Sequence, residues 1–155
     1  MIIKSYYTPE YQKHGFLRSN KIFSFAKKII KDFDVRSGEG IYSAAKNLSG
    51  GNQQKAILGR EISLDPALLI AVQPTRGLDV GAIEAIHKEL VKHRDRGRAV
   101  LLISFELDEI FNLSDRIAVM HGGSLTGIVR PEETTVEEVG LLMAGERKQG
   151  GNRDH

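Results

Sequence analysis

The chain has 155 residues, 41% of them hydrophobic and 27% charged, which is typical of a soluble globular protein with room for one core. It contains no cysteine, which excludes disulfide bonds and cysteine metal sites. No apolar run reaches the roughly 18 residues that a membrane-spanning helix needs, and a net charge of +2 is too small to indicate nucleic-acid binding.

Residues 1–46 are the basic part of the chain, with nine Lys or Arg against four Asp or Glu. Residues 1–20 show no sustained period. From residue 22 to residue 33, apolar side chains recur at helical spacing and three lysines lie opposite them, which predicts a core-facing helix. Its basic side is either a solvated helix face or a surface for an acidic partner or phosphates.

A second helix is predicted to begin just after Ser49 and to continue to residue 65. Ser49 is a good N-cap, and Gly50 and Gly51 follow it without Cβ atoms. The first backbone N–H groups of a helix have no partner within the helix, and the helix dipole places partial positive charge there. A phosphate can therefore approach this stretch closely.

The middle of the chain predicts a strand–helix–strand crossover. Residues 67–72 form a short apolar run, which is typical of a strand buried on both faces of a parallel sheet. Asp79 is expected to cap the next helix and Gly97 to close it. Residues 99–104 are expected to form a second buried strand. His87 and His93 are six positions apart on this helix, which is not the spacing of a metal pair, and we expect both at the surface.

The remainder predicts a short helix, a hairpin and a last helix. The short helix covers residues 106–111, and strands at residues 116–120 and 124–129 form the hairpin. Thr135 and Glu138 have the spacing of a capping box for the last helix. From residue 145 onward no apolar residue remains to pack, so we expect a disordered tail over residues 145–155.

Two of these stretches resemble motifs of one family. Leu48-Ser49-Gly50-Gly51-Asn52-Gln53-Gln54-Lys55 resembles the signature motif of ABC-type ATPases, in the form typical of importers for simple sugars and nucleosides. About twenty residues later, the stretch from Gln73 to Ala82 resembles the end of that family's Walker B strand and its D-loop.

The resemblance implies an α/β fold: part of a P-loop NTPase-like (ABC ATPase) fold, with a mostly parallel sheet flanked by helices and a reduced helical subdomain. Residues 1–46 would be the remnant of that subdomain and a linker. Residues 47–144 would carry the signature, Walker B and D-loop, and residues 145–155 the tail.

Other features of the family are missing or changed. No Gly-x-x-x-x-Gly-Lys-Ser/Thr sequence occurs in the chain, so the loop that would hold phosphates and Mg²⁺ is absent. Where the family has the Walker B Asp-Glu pair, this chain has Val72 and Gln73, and Phe105 stands at the position of the switch histidine. Gln73 can orient a water molecule but cannot take its proton. We therefore expect the chain alone not to hydrolyse ATP, although the family that it resembles hydrolyses ATP to drive transport.

By resemblance, two ATPase halves hold ATP head to tail. Ser49, Gly50, Gly51 and Gln53 would contact ATP held by a partner half with an intact Walker A, and Leu78 and Asp79 of the D-loop would lie at the interface between the halves. ATP would be shared, and Mg²⁺ would be bound only through the partner, with no metal site in this chain. Further expected partners are transmembrane permease subunits, with self-association as an additional possibility and no nucleic acid.

Three interpretations remain open. The first is an energy-coupling component or fragment of an importer for nucleosides or simple sugars, on the cytoplasmic side and peripheral to the inner face of the membrane. The wording around Gln73 and Phe105 is closer to the nucleoside branch than to ribose-type importers. The second is a truncated relic with no transport role. The third is a soluble ABC-type protein that acts on nucleic acid.

Overall fold

The computed structural model describes residues 1–146, which divide into two compact units, Met1–Ile103 and the part beginning at Ser104. Within residues 1–146, no helix combines the length and the apolar character needed to cross a bilayer. Most of the predicted tail, residues 147–155, lies outside the described residues. Gly145 and Glu146, the first two residues of the predicted tail, end the last helix: Gly145 has φ of +97°, and the amides of Gly145 and Glu146 donate to the carbonyls of Leu142 and Leu141.

The described part of the first unit contains three α-helices, two short 3₁₀ helices (Gly40–Tyr42 and Ala45–Asn47) and two small sheets. Its elements in chain order are β1 (Gln12–Lys13), β2 (Phe16–Leu17), α1 (Ser19–Asp32), α2 (Gly50–Ile62), β3 (Leu68–Val72), α3 (Val80–Asp95) and β4 (Ala99–Ile103). Strands β1 and β2 form an antiparallel hairpin, and β3 and β4 pair in parallel with Ile70 opposite Leu101. The predicted crossover is confirmed, since α3 joins two parallel strands.

Helix α1 begins at Ser19, three residues before the predicted start. The hairpin turn at His14 and Gly15 has positive φ at both positions, and it delivers the chain to Arg18 directly before the helix. Ala26 and Ile29 are buried, whereas the three lysines of the opposite side are exposed. Helices α1 and α2 pack together, as do α2 and α3.

The prediction that residues 67–72 are buried on both faces is wrong. Leu69 and Ala71 are buried, but Leu68, Ile70 and Val72 are 51%, 56% and 62% exposed. A short apolar run is typical of a strand that needs cover on both faces. The described part of the chain covers only one. The prediction of a buried strand at residues 99–104 is also wrong, because no residue of β4 is buried and Leu101 and Ile103 are exposed.

The described part of the second unit contains a hairpin, two α-helices and a short 3₁₀ helix at Pro131–Glu133. Its elements are α4 (Leu107–Leu113), β5 (Ile117–His121), β6 (Ser124–Val129) and α5 (Val136–Met143). Strands β5 and β6 pair antiparallel, and a buried cluster of Ile117, Val119, Val139 and Leu142 joins α5 to this hairpin. Thr135 caps α5 by accepting a hydrogen bond from the Glu138 amide at 3.3 Å, which is one half of the predicted capping box.

Candidate nucleotide-binding site

The start of α2 is held by an asparagine that the sequence reasoning did not single out. Ser49 has extended φ and ψ. Its hydroxyl oxygen accepts one hydrogen bond from the backbone N–H of Asn52 at 3.4 Å and another from the side-chain Nδ2 of Asn52 at 2.8 Å. Asn52 Oδ1 in turn accepts from the Arg36 amide at 2.8 Å. The only available signal was the position of Asn52 three residues after the cap. These bonds fix the Ser49 oxygen, and no acceptor for its proton is found among residues 1–146.

Gly50 and Gly51 are the first two residues of α2. Their backbone amides have no acceptor within the described part of the chain, as expected for the first turn of a helix. Gly50 is exposed and Gly51 is partly buried. Two amides, one hydroxyl proton and the positive end of the helix dipole form a donor set that fits the oxygen atoms of a phosphate.

The next polar side chains of α2 have partners in this chain. Gln53 Nε2 donates to the carbonyl of Leu48 at 2.9 Å, which closes the backbone around the N-cap and leaves one N–H of that amide for another acceptor. Lys55 Nζ donates to the Asp34 carbonyl at 3.3 Å, and its side chain is only 13% exposed. The ammonium of Lys55 therefore fastens the loop after α1 to the helix.

Leu78 and Asp79, in the stretch that resembles a D-loop, lie beside the start of α2. Asp79 caps α3, since its Oδ1 accepts a hydrogen bond from the Ala82 amide at 2.9 Å. A Cβ atom on Gly50 would lie 3.7 Å from Leu78 Cδ2, and one on Gly51 would lie 2.9 Å from Ala82 Cβ. The structure thus brings the starts of two helices together, and it places Ser49, Gly50 and Gly51 next to Leu78 and Asp79.

Val72 is the last residue of strand β3, and Gln73 follows it directly. The Gln73 amide donates to the Ile103 carbonyl at 2.8 Å, and Gln73 has φ of +48°, a value that non-glycine residues seldom adopt. Its Nε2 is buried, with no acceptor among residues 1–146. Neither side chain is a carboxylate, so this strand end offers no base.

Phe105 belongs to the second unit, where its side chain is 76% exposed. It lies between Ser104, whose hydroxyl oxygen accepts from the Glu106 amide at 3.0 Å, and the start of α4. An aromatic ring without a nitrogen cannot donate to a phosphate or accept a proton from water.

His93 is buried, which corrects the expectation that both histidines of α3 lie at the surface. It is on the inner side of α3 with Ile86 and Leu90, at helical spacing. Among residues 1–146, no group of three or more His, Asp or Glu residues could hold a metal ion.

Two carboxyl groups of the first unit, those of Glu61 and Asp65, have lowered pKa values, and both lie near the C-terminal end of α2. Burial favours the neutral form of Glu61, but hydrogen bonds from Lys4 and Arg60 outweigh it, so the pKa of Glu61 is lowered. A hydrogen bond from Arg98 lowers the pKa of Asp65. These ion pairs fasten the helix end and lie outside the proposed phosphate contact.

No family model matches the chain. Curated relatives do: it is 61% identical over 143 residues to the nucleoside import ATP-binding protein NupA of Lactococcus lactis, with 92% of this chain and 28% of the relative covered. It is 55% identical over 152 residues to the guanosine import ATP-binding protein NupO of Bacillus subtilis, with 97% and 30% covered. The chain thus spans less than a third of the length of these relatives.

Solved structures agree on the fold. A dimeric bacterial ABC transporter cassette matches with a TM-score of 0.63 at 21% identity, over 77% of this chain and 51% of that chain. A metal-chelate type ABC transporter in an inward-facing conformation matches with a TM-score of 0.69 at 12% identity, over 86% and 52%. The predicted fold class is confirmed, and the shared region is about half of a cassette.

The sequence identities and the fold agree with the resemblance of residues 48–55 and 73–82 to family motifs, and the chain belongs to the family of ATP-binding proteins of ABC-type importers.

Proposed function

We propose that this chain acts as an ATP-binding component, or part of one, in an ABC importer, and that it completes an ATP site whose Walker A motif is on a partner ATPase half. Ser49, Gly50 and Gly51 contact the terminal phosphate of that ATP. The observation that carries this proposal is the start of α2, where two amides and a hydroxyl proton have no acceptor among residues 1–146.

The neighbouring D-loop supports an interface role for the same surface. Leu78 lies against Gly50, and Asp79 is fixed as the cap of α3. A side chain held in this way can align groups across an interface at little further cost in entropy. Gln53 supports the contact mainly by closing the loop before Ser49, with one N–H left to donate.

The chain's own site is degenerate in this proposal. Val72 cannot hold a Mg²⁺-bound water molecule, Gln73 cannot act as a base, and Phe105 cannot replace a histidine. Mg²⁺ is therefore bound only through the partner half, together with the ATP phosphates.

The proposed substrate class is nucleosides, because the relatives at 61% and 55% identity are named for nucleoside and guanosine import. Simple sugars are second, since a ribose import ATP-binding protein of Rubrobacter xylanophilus is 39% identical. The further partners are transmembrane permease subunits, and the chain lies on the inner face of the membrane.

The test is phosphate release by a purified ATPase half with an intact Walker A motif, measured with and without this chain. We expect stimulation by the wild-type chain and none by Ser49→Arg, because the long cationic side chain fills the approach to the two glycines. Ser63→Arg is the matched control at the opposite end of α2, where Ser63 is exposed and stimulation should persist.

Two results would contradict the proposal. If the wild-type chain neither stimulates nor associates with the partner half, the chain is better interpreted as a relic without a transport role. If the chain alone hydrolyses ATP rapidly, Val72, Gln73 and Phe105 do not make its own site inactive.

A further inference from the structure

A cleft in the second unit lies at the end of the β5–β6 hairpin that is opposite its turn. It has a volume of about 500 Å³. Phe111 of α4 lines it, together with Arg116, which directly precedes β5, and Arg130, which directly follows β6. Pro131 and Glu132 of the following 3₁₀ helix also contribute to its wall. We call the space lined by these residues the arginine cleft.

The strand register explains why two arginines meet in this cleft. Ile117 of β5 pairs with Val129 of β6, so Arg116 and Arg130 lie one position further out on neighbouring strands. Like charges in such positions repel each other. No ion pair of Arg116 is found among residues 1–146. An anion between the two guanidinium groups would replace their repulsion with attraction.

Two carboxylates also line the cleft, and they restrict which anion can bind. Glu132 Oε1 lies 3.6 Å from Arg130 Nη1, and these side chains are 63% and 60% exposed, so the ion pair is weak. Asp115 is exposed next to Arg116. A ligand with one negative charge would gain little over these carboxylates. A phosphate monoester carries a charge of about −1.5 to −2 at pH 7 and competes with them better.

The size and the walls of the cleft favour an organic phosphate over inorganic phosphate. Sites for small organic molecules have volumes of roughly 300–1,000 Å³ and combine apolar walls with a few polar groups. Phe111 packs against the buried cluster of the second unit, which holds its ring in place, and Pro131 is a rigid residue. Both line the same cleft as the two arginines, so an apolar surface is available beside the guanidinium groups.

We propose that the arginine cleft binds the phosphate group of a small organic phosphate monoester. Arg116 and Arg130 donate hydrogen bonds to the phosphate oxygens, for which the planar guanidinium group is well suited. The organic part of the ligand packs against Phe111 and Pro131. The cleft shares no residue with the start of α2, so the proposal stands or fails separately from the contact with ATP.

The test is the binding of phenyl phosphate to the full chain, measured by ligand-observed NMR and compared with inorganic phosphate and with phenol. We expect phenyl phosphate to bind about tenfold more tightly than either of them, because only it uses both parts of the cleft. Arg116→Gln and Arg130→Gln should each weaken binding about tenfold, because each removes hydrogen bonds between charged groups. Arg96→Gln is the matched control, since Arg96 is an exposed arginine of the first unit, and its affinity should equal that of the wild type.

A second pair of variants tests the cleft without removing an arginine. Glu132→Gln removes the carboxylate that competes for Arg130, and it should strengthen the binding of phenyl phosphate about two- to fivefold. Glu133→Gln makes the same change in net charge at the next residue, which is exposed and does not line the cleft, so the affinity should stay unchanged. Circular dichroism establishes that each variant is folded.

Three results would overturn the proposal. One is the absence of phenyl phosphate binding to the wild-type chain. Another is binding no tighter than that of phenol or of inorganic phosphate, since one part of the ligand would then make no contact. The third is binding that Arg116→Gln and Arg130→Gln leave unchanged. Loss of that binding in Ser49→Arg would then assign it to the start of α2.

Discussion

Two physical requirements favour glycine at position 51: the approach of a phosphate to the backbone, and the close packing of α2 against α3. From the sequence, the absence of a side chain allows a phosphate to approach the backbone. In the structure, a Cβ on Gly51 would lie 2.9 Å from Ala82 Cβ, so α2 and α3 could not approach as they do. Gly50 is subject to the first requirement alone, because its Cβ would be 3.7 Å from Leu78 Cδ2.

We therefore predict opposite effects for two similar substitutions. Gly51→Ala should lower the free energy of unfolding by roughly 1–3 kcal/mol, since the added methyl group overpacks the contact between the helices. Gly50→Ala should leave it unchanged or raise it slightly, because alanine suits a helix better than glycine. Urea unfolding of both variants measures the difference, and equal effects would show that the helix contact does not require Gly51.

Asp79 is the residue whose structural and proposed roles can be separated by substitution. Asp79→Asn keeps an oxygen that can cap α3, and the unfolding free energy should change little. Asp79→Ala removes the cap and should cost about 1 kcal/mol. If Asp79 also acts across the interface, Asp79→Asn should still reduce the stimulation of the partner half. Full stimulation by Asp79→Asn would show that the Asp79 side chain acts only as the cap of α3.

Among the elements, the helices were predicted better than the environment of the strands. Capping residues and helical periodicity lie within one segment, so Ser49, Asp79 and Thr135 indicated three helix starts that the structure confirms. Exposure of Ile70 depends on which distant segments are present to cover it, and no local pattern contains that information. The spacing between His87 and His93 bears only on metal binding. The burial of His93 follows instead from its helical spacing to Ile86 and Leu90, which places it on the inner side of α3.

The stability that comes from the ion pair between Asp65, just after α2, and Arg98, just before β4, should depend on pH. Arg98 donates to both carboxylate oxygens of Asp65 and lowers the pKa of Asp65 below its ordinary value. A carboxyl with a lowered folded-state pKa stabilises the fold above its unfolded pKa, and the contribution is lost as pH falls through the folded value. The loss should therefore begin near pH 4 and continue below it.

Asp65→Asn is a suitable comparison. Asp65 has φ of +47°, a conformation that asparagine tolerates, so the variant removes the charge with little backbone strain. In urea unfolding between pH 3 and pH 7, the wild type should be the more stable at pH 7, and the difference should narrow as pH falls. A difference that is constant across this range would show that the ion pair does not contribute.

At the scale of the whole molecule, one face of the β3–β4 pair is exposed, and its large apolar side chains are Leu68, Ile70, Val72, Leu101 and Ile103. Five large apolar side chains in contact with water favour association, and the small parallel sheet is only partly covered. We expect the isolated chain to be marginally stable and to associate as its concentration rises. Sedimentation velocity and thermal unfolding measure this, and a monomer with one cooperative transition well above about 65 °C would contradict it.

The sequence predicted the family and the start of α2 after Ser49, because both depend on contiguous motifs. The proposed domain bounds at residues 46 and 144 stay a prediction, as do the roles of Ser49, Gly50, Gly51, Gln53, Leu78 and Asp79. The bond from the Arg36 amide to Asn52 could not be predicted, since it joins residues 16 positions apart through a loop without a regular pattern.

The central claim is that the start of α2 contacts ATP that another polypeptide holds. The most direct measurement is a structure of this chain with an ATPase half that has an intact Walker A motif, determined with ATP and Mg²⁺ in a hydrolysis-deficient form. We predict the triphosphate between the Walker A of the partner half and Ser49, Gly50 and Gly51 of this chain. A triphosphate bound entirely within one copy of this chain would contradict the account.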